Sequence, residues 1–403
     1  MPPNSAENEH GSPLALLQIM AAVFAGFLVI GFALPVLPLH LHDALGFGPF
    51  AVGLITGSQF VASLFSRIGA GSYADNRGSK RAVIVGLVAA ALAGAVYLAS
   101  LAFLERPVAS AALLLIGRAV LGAAESFVIT GSIAWGLALL GGQHSGKVIA
   151  WVGMAMFAAL AFGAPVGSAL FAAGGFFAIS IATIMVPVAT LLLILQLPGV
   201  VPAAGAGRHS FLSVAGAVWL PGLGAALSST GYGVILTFGA LHFADRGWHF
   251  VWLPFTAYAG ALILARVCLG HLPDKLGGAL IAAIFVLVEA SGLVVIWLAR
   301  EPLSAALGAG LTGLGYSLVY PGLGAEAVGK LPANSRGLAM GLYTVFLDVA
   351  LGFGSPALGL IAASTGLSTV FLVSAGMVSC TFVIALVLLR RPPRRASIYS
   401  CGQ

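Results

Sequence analysis

Two ionisable side chains, Arg118 and Glu125, lie seven residues apart within one long apolar stretch of the chain. Seven residues make about two turns of a helix, so both side chains project from the same face. Such charges are costly in apolar surroundings unless they are paired or face water. A carboxyl group near a guanidinium can bind and release a proton as its surroundings change. We therefore predict that Glu125 binds a proton and that Arg118 tunes it; the alternative is a permanent ion pair that only sets the helix register.

The composition indicates that the surroundings of these charges are a lipid bilayer. Hydrophobic residues make up 60% of the 403 residues, charged residues make up 7%, and the mean hydropathy is +1.07. A soluble domain could not cover its surface with so few charges. A helix crosses a bilayer with ~20 apolar residues, and open strands are excluded because lipid leaves their backbone unpaired. We predict an all-α polytopic membrane protein with twelve spans, at about 14–38, 50–70, 82–103, 111–139, 148–172, 175–197, 212–240, 249–271, 279–299, 303–328, 337–363 and 367–389.

The distribution of Lys and Arg predicts the orientation. With a cytoplasmic N-terminus, 14 of the 18 basic residues fall on the cytoplasmic side and three on the other, with Arg118 inside a span. The positive-inside rule therefore places both termini in the cytoplasm. The net charge of +6 follows from this bias and does not indicate nucleic-acid binding. We expect the basic tail, residues 390–403, to lie at anionic lipids.

One charged motif occurs twice, 199 residues apart, with the pattern Arg-x-x-x-Gly-x-x-x-Asp-x-x-Gly. Positions 191 residues apart also match in later spans, so span n corresponds to span n+6 and the chain consists of two parallel repeats. We predict an N-terminal tail at 1–13, a first six-helix bundle at 14–197, a cytoplasmic linker at 198–211, a second bundle at 212–389 and the basic tail. The motif residues are Arg67, Gly71, Asp75 and Gly78 in the first copy, and Arg266, Gly270, Asp274 and Gly277 in the second.

The first copy, continued through Lys80 and Arg81, resembles the signature between helices 2 and 3 of the major facilitator superfamily (MFS), although Asn76 and Ser79 replace basic residues of the pattern. Arg118 followed by Gly four residues later resembles the helix-4 motif of the same family. The resemblance implies the MFS fold, two six-helix bundles related by a pseudo-two-fold axis that rock around a central site. It also implies that Asp75 belongs to a gating latch between the bundles. Asp75 could instead cap the next helix, or the segment could be an ordinary basic turn.

Span 5 loosely resembles the helix-5 motif of MFS exporters. The residues concerned are Gly163, Pro165 and Gly167, with Gly354 and Pro356 in span 11. Proline removes a backbone hydrogen bond and small residues permit close helix crossing. We predict a hinge between the halves here; ordinary helix packing is the alternative.

In the MFS fold, spans 1, 4, 7 and 10 line the cavity and spans 3, 6, 9 and 12 lie outside. By that resemblance, Asp348 in the flanking span 11 is predicted to be a second coupling or substrate site, and Glu289 in span 9 to be structural. The candidate lining suits a small organic solute with an apolar part, although such side chains also join helices. It consists of Phe27, Gln59, Ser126, Ser229, Tyr232, Tyr316 and Tyr320.

Residues 117–137 and 145–155 resemble a bacterial MFS subgroup, the YhhS/YfcJ-type permeases. This resemblance implies a protein of the bacterial inner membrane. We predict a monomeric secondary transporter that moves a small organic solute by alternating access, as proton-coupled efflux. One alternative is uptake or facilitated diffusion of a small anionic metabolite held by Arg118, and another is a membrane-embedded sensor or scaffold. The sequence has no Gly-Lys-[Ser/Thr] phosphate loop, so we expect a proton gradient to drive transport, with no enzymatic activity, cofactor or metal.

Overall fold

The computed structural model describes residues 13–140, 145–196, 211–329, 331 and 335–390. Within these ranges the regular structure is helical, with a π-helical turn at His40–Ala44 and a 3₁₀ turn at Leu101–Phe103. The helices are α1 (Pro13–Leu39), α2 (Pro49–Arg77), α3 (Ser79–Ser100), α4 (Pro107–Leu140), α5 (Ser145–Leu195), α6 (Phe211–Asp245), α7 (Leu253–Leu269), α8 (Leu272–Leu276), α9 (Gly278–Leu298), α10 (Pro302–Val328), α11 (Arg336–Thr365) and α12 (Thr369–Leu389).

These helices provide twelve membrane crossings in the described ranges. Ten apolar helical stretches are long enough to cross a bilayer, and α7 adds a shorter apolar helix of 17 residues. One of the ten, Val148–Leu195, has 48 residues and would measure about 70 Å if it were straight, more than twice the ~30 Å hydrocarbon core. It therefore contains two crossings, spans 5 and 6. Span 7 is α6, span 8 is α7, and spans 9 to 12 are α9 to α12.

The division of α5 lies at two glycines. Gly174 has φ −149° and ψ 21°, and Gly175 has φ 60° and ψ −157°, a combination that a residue without Cβ adopts most readily. The chain reverses its direction at these glycines. The evidence is that the end of α5 lies beside the beginning of α3, where Lys80 Nζ donates to the Leu195 carbonyl over 3.0 Å. The boundary predicted between spans 5 and 6 lies at this reversal.

The repeated motif is largely helical, whereas an ordinary basic turn is one interpretation of its sequence. Residues 67–77 form the last turns of α2, and the chain turns only at Gly78, with φ 99° and ψ 143°. In the second copy the turn at Gly277 has nearly the same angles, φ 92° and ψ 140°. Pro273 separates α7 from α8 in that copy, because it lacks an N–H and its ring clashes with the preceding helical turn. The two copies therefore share a turn but not a continuous helix.

Each half of the chain packs as a bundle, and the halves meet along two main seams. In the first half α1 packs on α5, and α4 on α2 and α3; in the second, α10 packs on α7 and α9, and α6 on α11 and α12. Between the halves, α2 packs along α11 and α5 along α7. The predicted tails and the linker fall almost wholly outside the described residues.

Small residues set the distances between the helices. Gly122 of α4 lies directly against the backbone of Gln59 in α2, and Gly313 of α10 lies against the backbone of Tyr258 in α7. These glycines occupy equivalent positions in the two halves, 191 residues apart. Close backbone approach is the usual way in which membrane helices gain packing energy, because lipid supplies no hydrophobic driving force between them.

Substitution at Gly122 tests this packing. In Gly122→Ala the new methyl group meets the Gln59 carbonyl, so we expect a loss of roughly 1–3 kcal/mol in stability, as for other overpacked sites. The matched control is Gly354→Ala, since nothing lies within 4 Å of a Cβ there and a helical Gly→Ala change gains about 0.5–1 kcal/mol. Thermal unfolding in detergent measures both variants, and equal melting temperatures would contradict the packing argument.

Candidate functional site

An ion pair joins the two bundles along the α2–α11 seam. Arg67 Nη2 lies 2.7 Å from Asp348 Oδ2, and Arg67 Nε donates to the same oxygen over 3.1 Å. The Asp348 side chain is 2% exposed and that of Arg67 is 18% exposed. Within the described ranges this is the one salt bridge, so the main charge–charge contact between the halves lies at this seam. The sequence predicts a functional role for each residue but does not predict that they pair.

The pair continues into α4 through two serines. Arg67 Nη2 also donates to Ser63 Oγ over 3.2 Å, and Ser63 Oγ lies 2.9 Å from Ser126 Oγ. Ser126 Oγ also lies 2.9 Å from the Ser63 carbonyl, to which it can donate. The contact between the halves is thus linked by hydrogen bonds to the helix that carries Arg118 and Glu125. Ser63 was missed by sequence reasoning, although it lies four residues before Arg67, on the same helix face.

At the second seam, between α5 and α7, the equivalent arginine is Arg266, and it contacts an aromatic ring instead of a carboxylate. The Arg266 guanidinium carbon lies 5.8 Å from the ring centroid of Phe157 in α5, and Arg266 Nη2 donates to the Ser317 carbonyl over 3.4 Å. Phe157 and Asp348 are 191 positions apart, as are Ser126 and Ser317. The two repeats therefore place an arginine against the same position of the opposite half. One contact is ionic and the other is a cation–π contact.

Glu125 is the residue directly before Ser126 in α4, and Gln59 lies one helical turn before Ser63 in α2. Gln59 Nε2 donates to Glu125 Oε2 over 2.8 Å, and Gln59 is buried whereas Glu125 is partly exposed. Arg67, Arg118 and Asp348 all lie within electrostatic range of this carboxyl group. Tyr232 of the second bundle also lies within electrostatic range of Glu125 and Arg118. Glu125 thus belongs to a charged cluster at the contact between the halves.

Arg118 forms no ion pair with Glu125 in the described structure, so a permanent pair between them that only sets the helix register is the wrong interpretation. Its side chain is 2% exposed, and Nε and Nη1 have no hydrogen-bond partner in the described ranges. The Tyr97 side chain lies next to it. A buried guanidinium with unused donors is suited to holding an anionic group.

The helix-cap interpretation of Asp75 is wrong. α3 begins at Ser79, with Gly78 at the N-cap position and no side-chain cap, and Asp75 is exposed with no partner among the described residues. In the second copy, Asp274 is likewise exposed, and the backbone N–H of Ala279 donates instead to Glu326 Oε1 over 3.3 Å. Both carboxylates lie on helical backbone before the turn and do not reach the next helix start.

Along the α2–α11 seam the helices pack closely at one end and leave open space beside two glycines at the other. At the end that carries Pro49, here called the far end, Gly359 packs against the Pro49 backbone and Gly53 against Ser355. Beyond the Arg67–Asp348 pair lies the turn end, which carries Gly78 and Gly277. There, a Cβ at Gly71 or Gly341 would meet nothing within 4 Å. Of the predicted latch residues in the first copy, Gly71, Asp75 and Gly78 therefore lie beyond the ion pair, towards the more open end of this seam.

The predicted hinge in α5 is not a break in the helix. The helix continues through Pro165, and its only non-helical residues in the described range are the two glycines of the later reversal. Gly163 and Gly167 pack against α1 inside their own bundle. Of the equivalent residues in α11, Pro356 lies against α2 at the seam, whereas Gly354 faces open space. The contacts of Gly163 and Gly167 correspond to ordinary helix packing, which is the alternative to a hinge.

Six of the seven predicted cavity-lining residues are buried, and Tyr320 is partly buried. Ser229 Oγ lies 3.1 Å from Tyr316 Oη, and the Tyr232 ring lies 5.7 Å from that of Tyr316. Tyr232 also lies 6.3 Å from Phe157 of the other bundle. Sequence reasoning missed Tyr258, 5.5 Å from Tyr232, since it lies on a helix assigned a flanking role. A cluster of aromatic rings thus lies opposite the charged residues of α4.

The fold and the site define a membrane transporter composed of two similar helical bundles with a charged centre. The chain belongs to the Major Facilitator Superfamily, whose sequence profile matches residues 19–301 and 253–399. It is 38% identical over 386 residues to an uncharacterised MFS-type transporter of Salmonella typhimurium, covering 96% of this chain and 99% of the relative. The uncharacterised MFS-type transporter YhhS of Escherichia coli is also 38% identical, over 381 residues and 94% of each chain. The crystal structure of a D-xylose–proton symporter has the same fold, with a TM-score of 0.76 at 14% identity over 95% of this chain and 98% of the symporter.

Charge reversal tests the contribution of the ion pair to the α2–α11 seam. Asp348→Arg places two cations together, and we expect it to weaken the seam by roughly 2–5 kcal/mol, whereas Arg67→Asp/Asp348→Arg restores an ion pair of opposite polarity. Spin labels at Gly69 and Gly341 report the separation by double electron–electron resonance. The single variant should shift the distance distribution and the double variant should recover most of it.

The matched control for charge reversal is Glu105→Arg, an exposed carboxylate in the far-end connection between α3 and α4. It should leave the label distances unchanged. If the double variant is as perturbed as Asp348→Arg alone, the pair does not hold the seam.

Proposed function

We propose that this protein is a secondary active transporter that exports a small organic solute across the bacterial inner membrane in exchange for protons. The observation that carries the proposal is the position of a protonatable carboxyl group, Glu125, in the same charged cluster as the ion pair that joins the bundles. Proton binding at Glu125 changes the charge next to the seam that must open and close. Proton binding at Glu125 can therefore shift the equilibrium between conformations without any other titratable group.

The charge balance indicates how such coupling works. Arg67 and Arg118 contribute two positive charges, and ionised Asp348 and Glu125 contribute two negative charges. Protonation of Glu125 leaves the cluster with one excess positive charge in a medium that screens it poorly. That excess disfavours a second cationic group in the cluster and favours a rearrangement that brings the arginines to water. A solute that competes with the proton for this cluster is exchanged for it, which is antiport.

The aromatic side of the site indicates the solute class. Tyr232, Tyr258 and Tyr316 form stacked or tilted contacts with centroid distances of 5.5 to 6.4 Å, and Phe157 approaches them from the other half. Rings with hydroxyl groups offer flat apolar faces together with hydrogen-bond donors and acceptors. This surface suits a small organic molecule with an apolar part.

A second candidate is uptake or facilitated diffusion of a small anionic metabolite. The observation in its favour is the buried Arg118 guanidinium, whose Nε and Nη1 have no partner in the described ranges. Under this hypothesis the solute anion pairs with Arg118 directly, and Glu125 is not required for energy coupling.

The orientation is part of the proposal. With a cytoplasmic turn end, the cluster opens to the cytoplasm in this conformation, and the far end is closed. We expect a thiol introduced at Asn76 to react with an impermeant maleimide only after cells are permeabilised, and one at Glu105 to react in intact cells. Labelling in the opposite pattern reverses the assigned orientation.

Glu125→Gln tests the coupling, because it keeps the size and hydrogen-bonding capacity of the side chain but cannot carry a proton. A thermal-shift screen of metabolites and toxic compounds identifies a solute that stabilises the protein. In proteoliposomes with an imposed pH gradient, we expect Glu125→Gln to lose accumulation of that solute while exchange without a gradient persists. Full gradient-driven transport by this variant rules out Glu125 as the coupling group.

Two further variants complete the experiment. Glu105→Gln neutralises an exposed carboxylate outside the bundles and should transport normally. Arg118→Ala separates the candidates: loss of counterflow of a labelled anion favours anion transport, whereas counterflow that survives counts against it.

A further inference from the structure

The second bundle contains a buried carboxyl group that the proposed function does not use. Glu289 of α9 is 0% exposed. Ser228 Oγ of α6 donates to Glu289 Oε2 over 2.6 Å, and Oε1 has no hydrogen-bond partner in the described ranges. A buried carboxyl group with one unused oxygen is costly, so its presence calls for a physical reason.

Two glycines provide the space for this carboxyl group. A Cβ at Gly231 of α6 would lie 2.8 Å from Glu289 Oε1, and one at Gly315 of α10 would lie 2.6 Å from Glu289 Cβ. The position of Glu289 in the first half, 199 residues earlier, is Ala90. Since the first bundle packs with alanine at the equivalent position, the fold does not require a carboxyl group there.

The groups around Glu289 supply no positive charge. α7 and α10 present the titratable groups within its electrostatic range, Tyr258 and Tyr316. α6 contributes the Ser228 hydroxyl, the one cysteine of α12 is exposed, and the charged residues of α8 are exposed at the turn end, about three helical turns away. A carboxylate without a cation is far more expensive to bury than a carboxylic acid. The neutral acid is therefore the less costly form of Glu289 in these surroundings.

A tyrosine connects this site with the centre of the molecule. Tyr316 lies within electrostatic range of Glu289 and occupies the position equivalent to Glu125. Its hydroxyl lies 3.1 Å from Ser229 Oγ, and its ring stacks on Tyr232, which contacts Phe157 of the first bundle. Tyr316 therefore lies between the carboxyl group of the second bundle and Tyr232, the ring within electrostatic range of Glu125 and Arg118.

We infer that Glu289 is a second proton-binding site, which exchanges its proton with the central space by way of the Tyr316 hydroxyl. In the exchange, the carboxyl O–H bond breaks as its proton passes to a neighbouring hydroxyl oxygen, which releases its own proton onward, so no electrons are gained or lost. The inference rests on the proposed proton-coupled transport and extends it to a second site. The two carboxyl groups then lie in different bundles, on opposite sides of the aromatic cluster.

Infrared difference spectroscopy of the purified full-length protein tests the site with protons as the only ligand. A protonated carboxyl group has a carbonyl stretch that a carboxylate lacks. We expect one such band to decrease as the pH is raised and to be absent from Glu289→Gln. The matched control is Glu326→Gln, which alters another carboxyl group of the same bundle and should keep the band. Tyr316→Phe should keep the band but slow its response to a pH jump.

Two results overturn the inference: a band that persists in Glu289→Gln, or a band that stays constant over every pH at which the protein is folded. If Glu289→Gln does not fold, Ser228→Ala serves instead, because loss of the hydroxyl bonded to Oε2 must move the band, and an unmoved band overturns the assignment. The measurement in a Glu125→Gln background separates the two proposals. Failure of Glu125 as the coupling group leaves the Glu289 band in place, whereas failure of Glu289 leaves gradient-driven transport dependent on Glu125.

Discussion

The ion pair between Arg67 and Asp348 constrains how the two bundles can move. Asp348 is almost fully buried, and a buried carboxylate that loses its partner becomes an uncompensated charge. Separation of α2 from α11 at this level therefore requires that Asp348 be neutralised, that Arg67 find another partner, or that both reach water. The structure provides candidate partners for Arg67, since Ser63 already binds it and Glu125 lies within electrostatic range of both members of the pair.

In the part of the chain that the structure describes, the two seams differ in charge because one pair of equivalent positions holds different residues. Both repeats place an arginine at the same depth, against the same position of the opposite half, but that position is Asp348 on one side and Phe157 on the other. A cation–π contact is not broken by protons, whereas a carboxylate pair can be. Under the proposed proton coupling, the α2–α11 seam is therefore the one that protonation of a carboxyl group can weaken, whereas the cation–π contact of the α5–α7 seam contains no carboxyl group.

The same asymmetry extends through the two central helices. Arg118 and Glu125 of α4 correspond to Ala309 and Tyr316 of α10. One wall of the site is therefore ionic and the other is aromatic, a combination that can hold the polar and apolar parts of one solute at once. Close backbone packing makes this possible: Gly122 lets α2 approach α4 closely enough for Gln59 to bind Glu125.

The sequence by itself determined the class of protein, the number of spans and the correspondence between the halves. These features follow from local properties: the length of each apolar run, the rarity of charge and a repeat at fixed offsets. It also singled out Arg67, Arg118, Glu125 and Asp348, because charges in apolar runs are conspicuous. Only the tertiary structure decided that Arg67 pairs with Asp348, that Arg118 does not pair with Glu125, and that the helix-5 glycines pack inside a bundle. Those outcomes depend on which helices meet and at what depth, and residues 281 positions apart leave no local signal of their contact.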